Sequence, residues 1–280
     1  MDVGGRITEV ADTLTKAERR VAEVVLAQPE LVAFGTVADL AGAASAGAAT
    51  VVRLATKVGF DGFTDLQQSV RFELAGRLRP AAERIREPAT DDPVSQHLHL
   101  ERNNVEKTLG DVDPGALGDA VGLLADRKRT GLVLSGEAST GVAHQLCHDL
   151  GSLRPLVEML GGNEVRVLRR LAMAAAGDVV VVIDLRRYDR WVVETAERAK
   201  AAGLVVLALS DSRLSPIAAV ASASFVIAAA GAAPFDSHVG TLALANLLVT
   251  SVAGALRGDA VHRLDRAEQA WNQAGALSER

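Results

Sequence analysis

The 280-residue chain has one cysteine, Cys147, so no intramolecular disulfide can form, which fits a reducing compartment. Aromatic residues make up only 3%, so the core must be built from Ala, Val and Leu, and the alanine raises helix content. Long apolar runs are missing too. The longest, residues 242–256, is broken by Asn246, Thr250 and Ser251 and is too short to span a bilayer. The opening MDVGGRITEV holds no apolar signal core, and the expectation is a cytoplasmic protein. A formal net charge of -5 argues against a strongly basic nucleic-acid coat but leaves room for a local basic face. What is present, 49% hydrophobic and 23% charged residues, is an ordinary globular composition rather than a disordered one. The length suits two domains or one large one.

The stretch TVADLAGAASAGAATVVRLATKVGF, residues 36–60, reads as two short helices joined by a tight turn. Thr36 can cap the first helix, with Val37, Leu40 and Ala41 on one stripe. Residues 42–47 are all small, which suits a sharp turn. A second helix over 48–58 places Val51, Leu54, Ala55 and Val58 on one apolar face, with Thr50, Arg53 and Lys57 in a narrow sector of another. Arg53 and Lys57 are the only charges between Thr50 and Phe60. A helix anchored on one side and presenting Thr, Arg and Lys on the other is what a helix-turn-helix needs to enter a major groove. Arg53 can take a guanine edge or a phosphate, and Lys57 a phosphate. The bland alternative is a solvated face of an ordinary bundle.

Residues 1–79 read as all-helical. Thr15-Lys16-Ala17-Glu18 is a capping box, Pro29 stops the helix it starts, and Thr64-Asp65-Leu66-Gln67 looks like a second box. Residues 80–93, with three prolines, read as a partly helical linker, followed by helices over 93–109 and 114–125. From Thr130 the pattern becomes strand-helix alternation: GLVLSG, PLVEML, DVVVVID, LVVLALS and SFVIAA are short aliphatic runs with helical segments between them. A last apolar helix spans 237–256, and a charged helical tail over 257–280 folds back or crosses to a partner. Such alternation implies a parallel sheet covered on both faces, with ligands at the carboxyl ends of the strands.

The loops at those ends are 136–140, 184–189 and 210–215. In the first, free N–H groups at a helix N-terminus favour an anion; the alternative is a plain turn with Ser139 as N-cap. Gly136 and Gly141 have the spacing of a phosphate loop, but Val142 stands where its lysine belongs, and no Gly-x-Gly-x-x-Gly follows the strand. In the second loop, Arg186 and Arg187 either clamp a phosphate or carboxylate or answer Asp184 and Asp189 as ion pairs. His144, Cys147 and His148 share a helical face without a second cluster to complete a metal site, and no metal or cofactor is expected. Asp236-Ser237-His238 has the letters of a hydrolase triad, but sequence neighbours do not converge as one; Ser237 reads as a helix cap. Trp191 and Trp271 read as packing anchors.

Together, LTKAERRVAEVVLAQP, VADLA and ATVVRLATKVGFDGFTDLQ resemble the N-terminal helix-turn-helix of the RpiR/MurR family of bacterial transcription regulators. The second half resembles a sugar isomerase (SIS) domain. The resemblance covers nearly the whole chain. It implies an all-α helix-turn-helix domain followed by an α/β domain, an SIS-type αβα sandwich with a five-stranded parallel sheet. The implied organisation is a DNA-binding domain over 1–79, a linker and lead-in helix over 80–112, an effector-binding domain over 113–257 and a helical tail over 258–280. Two departures stand out. Gly47 occupies the position where the family commonly has a capping Ser, and the loop after the third strand is Asp184-Leu185-Arg186-Arg187-Tyr188 rather than Ser-rich. This is similar to a subgroup with Arg-Arg-Tyr in that loop and Phe-Asp-Ser near the end.

The reading is a DNA-binding transcriptional regulator, a homodimer or dimer of dimers, whose SIS domain senses a carbohydrate derivative or other small anionic metabolite. DNA contacts are assigned to Thr36, Ala49, Thr50, Arg53 and Lys57. Effector contacts are assigned to Gly136, Ser139, Thr140, Asp184, Arg186, Arg187, Tyr188, Ser210, Asp211, Ser215, Asp236 and Ser237. The alternative is a sugar-phosphate isomerase or lyase; it needs a base beside a carbonyl, and Glu137 and Asp184 are the only obvious carboxylates at the loop ends, neither in a recognisable motif. A third reading makes the first domain a protein-docking bundle.

Overall fold

The computed structural model describes residues 3–78, 81–85, 92–232 and 234–277. The first half is helical: α1 (Val3–Glu9), α2 (Lys16–Ala27), α3 (Pro29–Phe34), α4 (Val37–Ala43), α5 (Ala48–Lys57) and α6 (Phe63–Leu78). Thr15 starts α2 with both halves of a capping box, its side chain accepting the Glu18 N–H while Glu18 accepts the Thr15 N–H. Pro29 ends one helix and opens the next, because a missing N–H is tolerated in a first turn. The expected cap at Thr64 is corrected: α6 already begins at Phe63, and the Asp65 carboxylate instead accepts the Asp61 N–H at 3.0 Å. Val21, Val25, Leu40, Val51, Leu54, Ala55, Val58 and Phe60 make one core among these helices.

Of the linker read over 80–93, the short helix α7 (Ala81–Arg84) is described; Pro80 and residues 86–91 lie outside the described residues. Then come α8 (Pro93–Gly110) and α9 (Pro114–Ala125), each with Pro in the first turn and an Asp side chain as N-cap.

The second half runs β1 (Gly131–Ser135), α10 (Thr140–Leu153), β2 (Val157–Met159), α11 (Glu164–Ala172), β3 (Val179–Asp184), α12 (Arg190–Ala201), β4 (Val205–Ser210), α13 (Pro216–Val220), β5 (Ala223–Val226), α14 (Val239–Ala255) and α15 (Arg257–Ala274). The strands form one parallel sheet in the order β2-β1-β3-β4-β5. Side chains alternate across it. Val179, Val181, Ile183, Leu207 and Leu209 pack with α9, α10 and α14, while Val180, Val182, Val206 and Ala208 pack with α11, α12 and α13. Both faces are therefore dry, which is why the central strands read as unbroken aliphatic runs.

The lead-in helix α8 is part of this sandwich. Asn104 and Thr108 are buried and accept the N–H groups of Ala230 and Ala228 at 3.0 Å each. The tail folds back within the chain: α15 lies on α10, and Arg263 donates to the carbonyls of Gly151 and Ser152. The tryptophans are not anchors; Trp191 and Trp271 are 43% and 44% exposed on the outer sides of α12 and α15. Among the described residues no single helix is long and apolar enough to cross a membrane.

Candidate functional site

Two regions carry the chemistry. The first is α5. Gly47 precedes it without a side-chain cap, and the turn before it places Ser45 at φ 47°, held by Arg20 donating to the carbonyls of Ala44 and Ser45. Thr36 caps α4 with a full capping box to Asp39. The exposed side of α5 consists of Ala48, Ala49, Val52, Arg53, Thr56 and Lys57.

The residues expected to face DNA divide. Thr36 and Ala49 are exposed. Thr50 is buried and accepts a hydrogen bond from the Arg53 guanidinium at 3.1 Å, so it steadies Arg53 rather than facing outward. Lys57 lies at the border with α2, donating to the Thr13 carbonyl at 2.6 Å and to Glu18 at 3.1 Å. The Thr15 N–H first, and Lys57 with it, hold the Glu18 carboxyl below its usual range. Val52 and Thr56, not singled out in the sequence, stand outward. A helix advances roughly 100° per residue, so the direction opposite Val51, Leu54, Ala55 and Val58 falls among Ala49, Arg53 and Thr56, with Val52 and Lys57 on the two flanks. The charged residues alone therefore mark Arg53 and one flank, and leave out Thr56 and Val52.

The second region is the carboxyl end of the sheet. The strand order reverses at β1, and the crevice between β1 and β3 is where parallel sheets hold ligands. Asp184, at the end of β3, pairs in register with Ser210 of β4. Gly136 sits against Asp184 so closely that a Cβ there would lie 2.3 Å from Oδ1, which only glycine permits. Burial pushes the Asp184 carboxyl up to about 7, reinforced by the neighbouring charges of Asp189 and Asp211 and opposed by the backbone N–H groups of Asp189 and Leu185. The Asp189 N–H reaches Asp184 at 2.8 Å, and the Asp189 carboxylate accepts the Glu137 N–H at 2.8 Å.

The loop after β3 has Arg186 and Arg187 at φ 35° and 43°, a left-handed pair with no glycine in it. Asp211 fastens this loop, accepting the Arg186 N–H at 3.2 Å and the Tyr188 hydroxyl at 2.7 Å. The Arg186 side chain ion-pairs with Asp236 at 3.3 Å, while Arg187 is exposed. The arginines do not answer Asp184 and Asp189; those carboxylates go to backbone N–H groups. A cleft of about 600 Å³ is lined by Glu137, Ala138, Asp184, Leu185, Arg186, Arg187, Asp189, Phe235, Asp236 and His238.

Other expected effector residues lie behind this lining. A 3-10 turn over Glu137–Ser139 precedes α10 and turns Ser139 inward, so it is fully buried and makes no cap hydrogen bond. Thr140 donates to the Gly136 carbonyl at 3.3 Å. The Oγ atoms of Ser139 and Ser210 are buried and have no hydrogen-bond partner among the described residues. Ser215 caps α13 through the Ala218 N–H. Ser237 donates to Glu101 at 2.6 Å and accepts the Val239 N–H at 3.1 Å, so it does steady the start of α14, two residues later than expected. Glu137, named from the sequence only as a candidate base, lines the cleft; Phe235 and His238 were not assigned to it, and the chain closure around 235–238 that brings them in leaves no local signature. Among the described residues no cluster of His, Cys, Asp and Glu could hold a metal.

A helix-turn-helix joined to a parallel-sheet sandwich with a polar cleft at its switch point is the architecture of a two-domain regulator. Residues 1–77 match the model described as "Helix-turn-helix domain, rpiR family", and residues 124–251 match the SIS domain. The HTH-type transcriptional regulator HexR of Pseudomonas aeruginosa is 30% identical over 212 residues, covering 74% of this chain and 72% of that one. The chain belongs to the rpiR family of HTH-type transcriptional regulators, and it is a regulator rather than an enzyme. Among solved structures, the sugar isomerase domain of an RpiR transcription factor from Sphaerobacter thermophilus is 29% identical, with a TM-score of 0.57 over 62% of this chain and 97% of that one. The Vibrio vulnificus NanR protein, solved in complex with ManNAc-6P, shares the fold at 19% identity and a TM-score of 0.57, over 99% of this chain and 100% of that one.

Proposed function

We propose that this regulator works in the cytoplasm as a homodimer, reads duplex DNA with the exposed side of α5, and binds a small anionic carbohydrate derivative, of the phosphosugar class, in the cleft above β1 and β3. On the DNA side, Arg53 takes a base edge or phosphate, with Ala49, Val52 and Thr56 against the groove floor, and Thr36 at the start of α4 meets the backbone. Thr50 holds Arg53, and Lys57 sits at the phosphate rim. Two such helices on one symmetric dimer would read the two halves of a palindrome.

The observation that carries the effector reading is Arg187. It is an exposed arginine lining a cleft of about 600 Å³ whose other arginine, Arg186, is already paired with Asp236. A guanidinium in this position suits a phosphate or carboxylate, and the surrounding carboxylates suit sugar hydroxyls. The phosphosugar named in the NanR complex supports the same ligand class.

The test has two titrations. A labelled fragment from upstream of the protein's own gene should bind with an affinity that falls steeply as salt rises. Calorimetry against a panel of sugar phosphates and sugar acids should find a ligand whose affinity drops in Arg187→Ala. A panel that gives no heat with the parent protein sinks the effector reading; binding to DNA that ignores salt sinks the other.

A further inference from the structure

Leu214 lies in the loop after β4, in the sheet domain, yet it is buried to 1% exposure in the same apolar cluster as Val3, Ile7, Val21 and Val25 of the helical domain. Beside it, Arg213 packs on α1 so tightly that a Cβ on Gly4 would lie 2.5 Å from the Arg213 Cβ. The helix that follows, α13, packs against α2. Three residues before Leu214 stands Asp211, whose carboxylate holds the Arg186 N–H and the Tyr188 hydroxyl of the cleft loop.

The turn between these two points is stiff. Ser212 Oγ accepts the Leu214 N–H at 2.9 Å, the Ser212 carbonyl accepts the Ser215 N–H at 3.2 Å, and Ser215 Oγ accepts the Ala218 N–H at 3.1 Å. Ser212 and Ser215 are buried. A buried turn pinned by three of its own hydrogen bonds passes a displacement on rather than absorbing it.

We infer that residues 211–215 are a rigid coupling between the effector cleft and the DNA-binding domain, with Asp211 as the input and Leu214, seated in the helical core, as the output. A ligand that draws on Arg186 or Arg187 moves a loop already held in left-handed backbone, and Asp211 moves with it. Leu214 and α13 then shift against α1 and α2. Because α2 packs on α5 and its Glu18 holds Lys57, the change arrives at the recognition helix. Packed cores are bistable rather than smoothly deformable, so a small shift at the input can select between two seats for the helical domain. The inference takes its purpose from the proposed effector cleft, but its geometry stands apart from what the ligand is.

Hydrogen exchange of the full-length protein, without DNA or ligand, tests it. Tyr188→Phe removes one hydrogen bond at the input and leaves Leu214 in place. It should speed exchange in α1 and α2 about threefold or more, as Asp211→Ala should. Leu214→Ala should do the same at the output, and Leu214→Met should restore protection. Arg190→Ala, which removes an exposed ion pair at the start of α12, should leave α1 and α2 unchanged. The inference is overturned if Tyr188→Phe alters exchange only around 184–188 and 210–215, or if Arg190→Ala loosens α1 and α2 equally. Since no DNA or effector is added, such a failure leaves the binding titrations to judge the proposed function on their own.

Discussion

The Asp189 carboxylate accepts the Glu137 N–H at 2.8 Å, so a backbone donor at the mouth of the cleft is already occupied by an anion belonging to the chain. Asp189 precedes α12 without making a side-chain cap, so removing its carboxylate costs that helix little. A hydrogen bond to a charged group is worth about 1.5–3 kcal/mol, and an incoming anion must compete with it. Asp189→Ala is expected to tighten binding of the sugar phosphate that the calorimetric panel identifies by roughly tenfold. Calorimetry on both proteins checks it, and equal affinities would show that the ligand anion sits elsewhere in the cleft.

Asp184 sets a pH dependence of stability. Unfolded, its carboxyl titrates near the ordinary value of about 3.9; folded, it is pushed up to about 7. Between those values the folded state holds more protons than the unfolded one, so stability falls as pH rises through the window and levels off above it. Asp184→Asn removes a slope worth roughly 3 kcal/mol between pH 5 and pH 8. Urea unfolding at the two pH values should show the variant losing less stability than the parent. A parent curve that is flat over this range would mean that Asp184 stays ionised.

Arg53 and Lys57 should separate in their effects. Arg53→Ala is expected to weaken DNA binding by roughly 1–3 kcal/mol, because a guanidinium reading a base edge is lost. Lys57→Ala breaks a partly exposed pair with Glu18, so it should change folding stability by no more than about 1 kcal/mol. Gel-shift titration together with thermal melting distinguishes them; an Arg53→Ala protein with unaltered affinity would remove Arg53 from the interface.

Gly240 lies where α14 crosses α8. A Cβ there would meet Thr108 Oγ1 at 2.6 Å and the Ala228 carbonyl oxygen at 2.7 Å. Gly240→Ala should therefore destabilise the protein by about 1–3 kcal/mol through overpacking, despite the helix preference for alanine. A chemical denaturation midpoint equal to that of the parent would contradict so tight a crossing.

Much of the architecture was legible in the residues. The aliphatic runs GLVLSG, PLVEML, DVVVVID, LVVLALS and SFVIAA hold the five strands, and Pro114 marked the start of α9. These signals are local, carried by alternation, caps and proline. The cleft was legible only in outline. Its arginine loop could be placed at the end of β3, but not the partner of each arginine: Asp236, which pairs with Arg186, is 50 positions further along. Likewise Thr50 and Arg53 share a helical sector on paper, and the packing of α5 among the neighbouring helices leaves one buried and the other facing outward.

By itself the sequence determined the two domains, the strand-helix order and the amphipathic second helix of the helix-turn-helix, because hydrophobic period and turn chemistry act over a few residues. The tertiary structure alone decided that Leu214 sits in the other domain's core, that Asp189 fills the Glu137 N–H, and that Asp184 is forced toward neutrality. Each of those depends on groups far apart in the chain being brought to hydrogen-bonding or van der Waals distance in a medium from which water is excluded, and no local pattern records that.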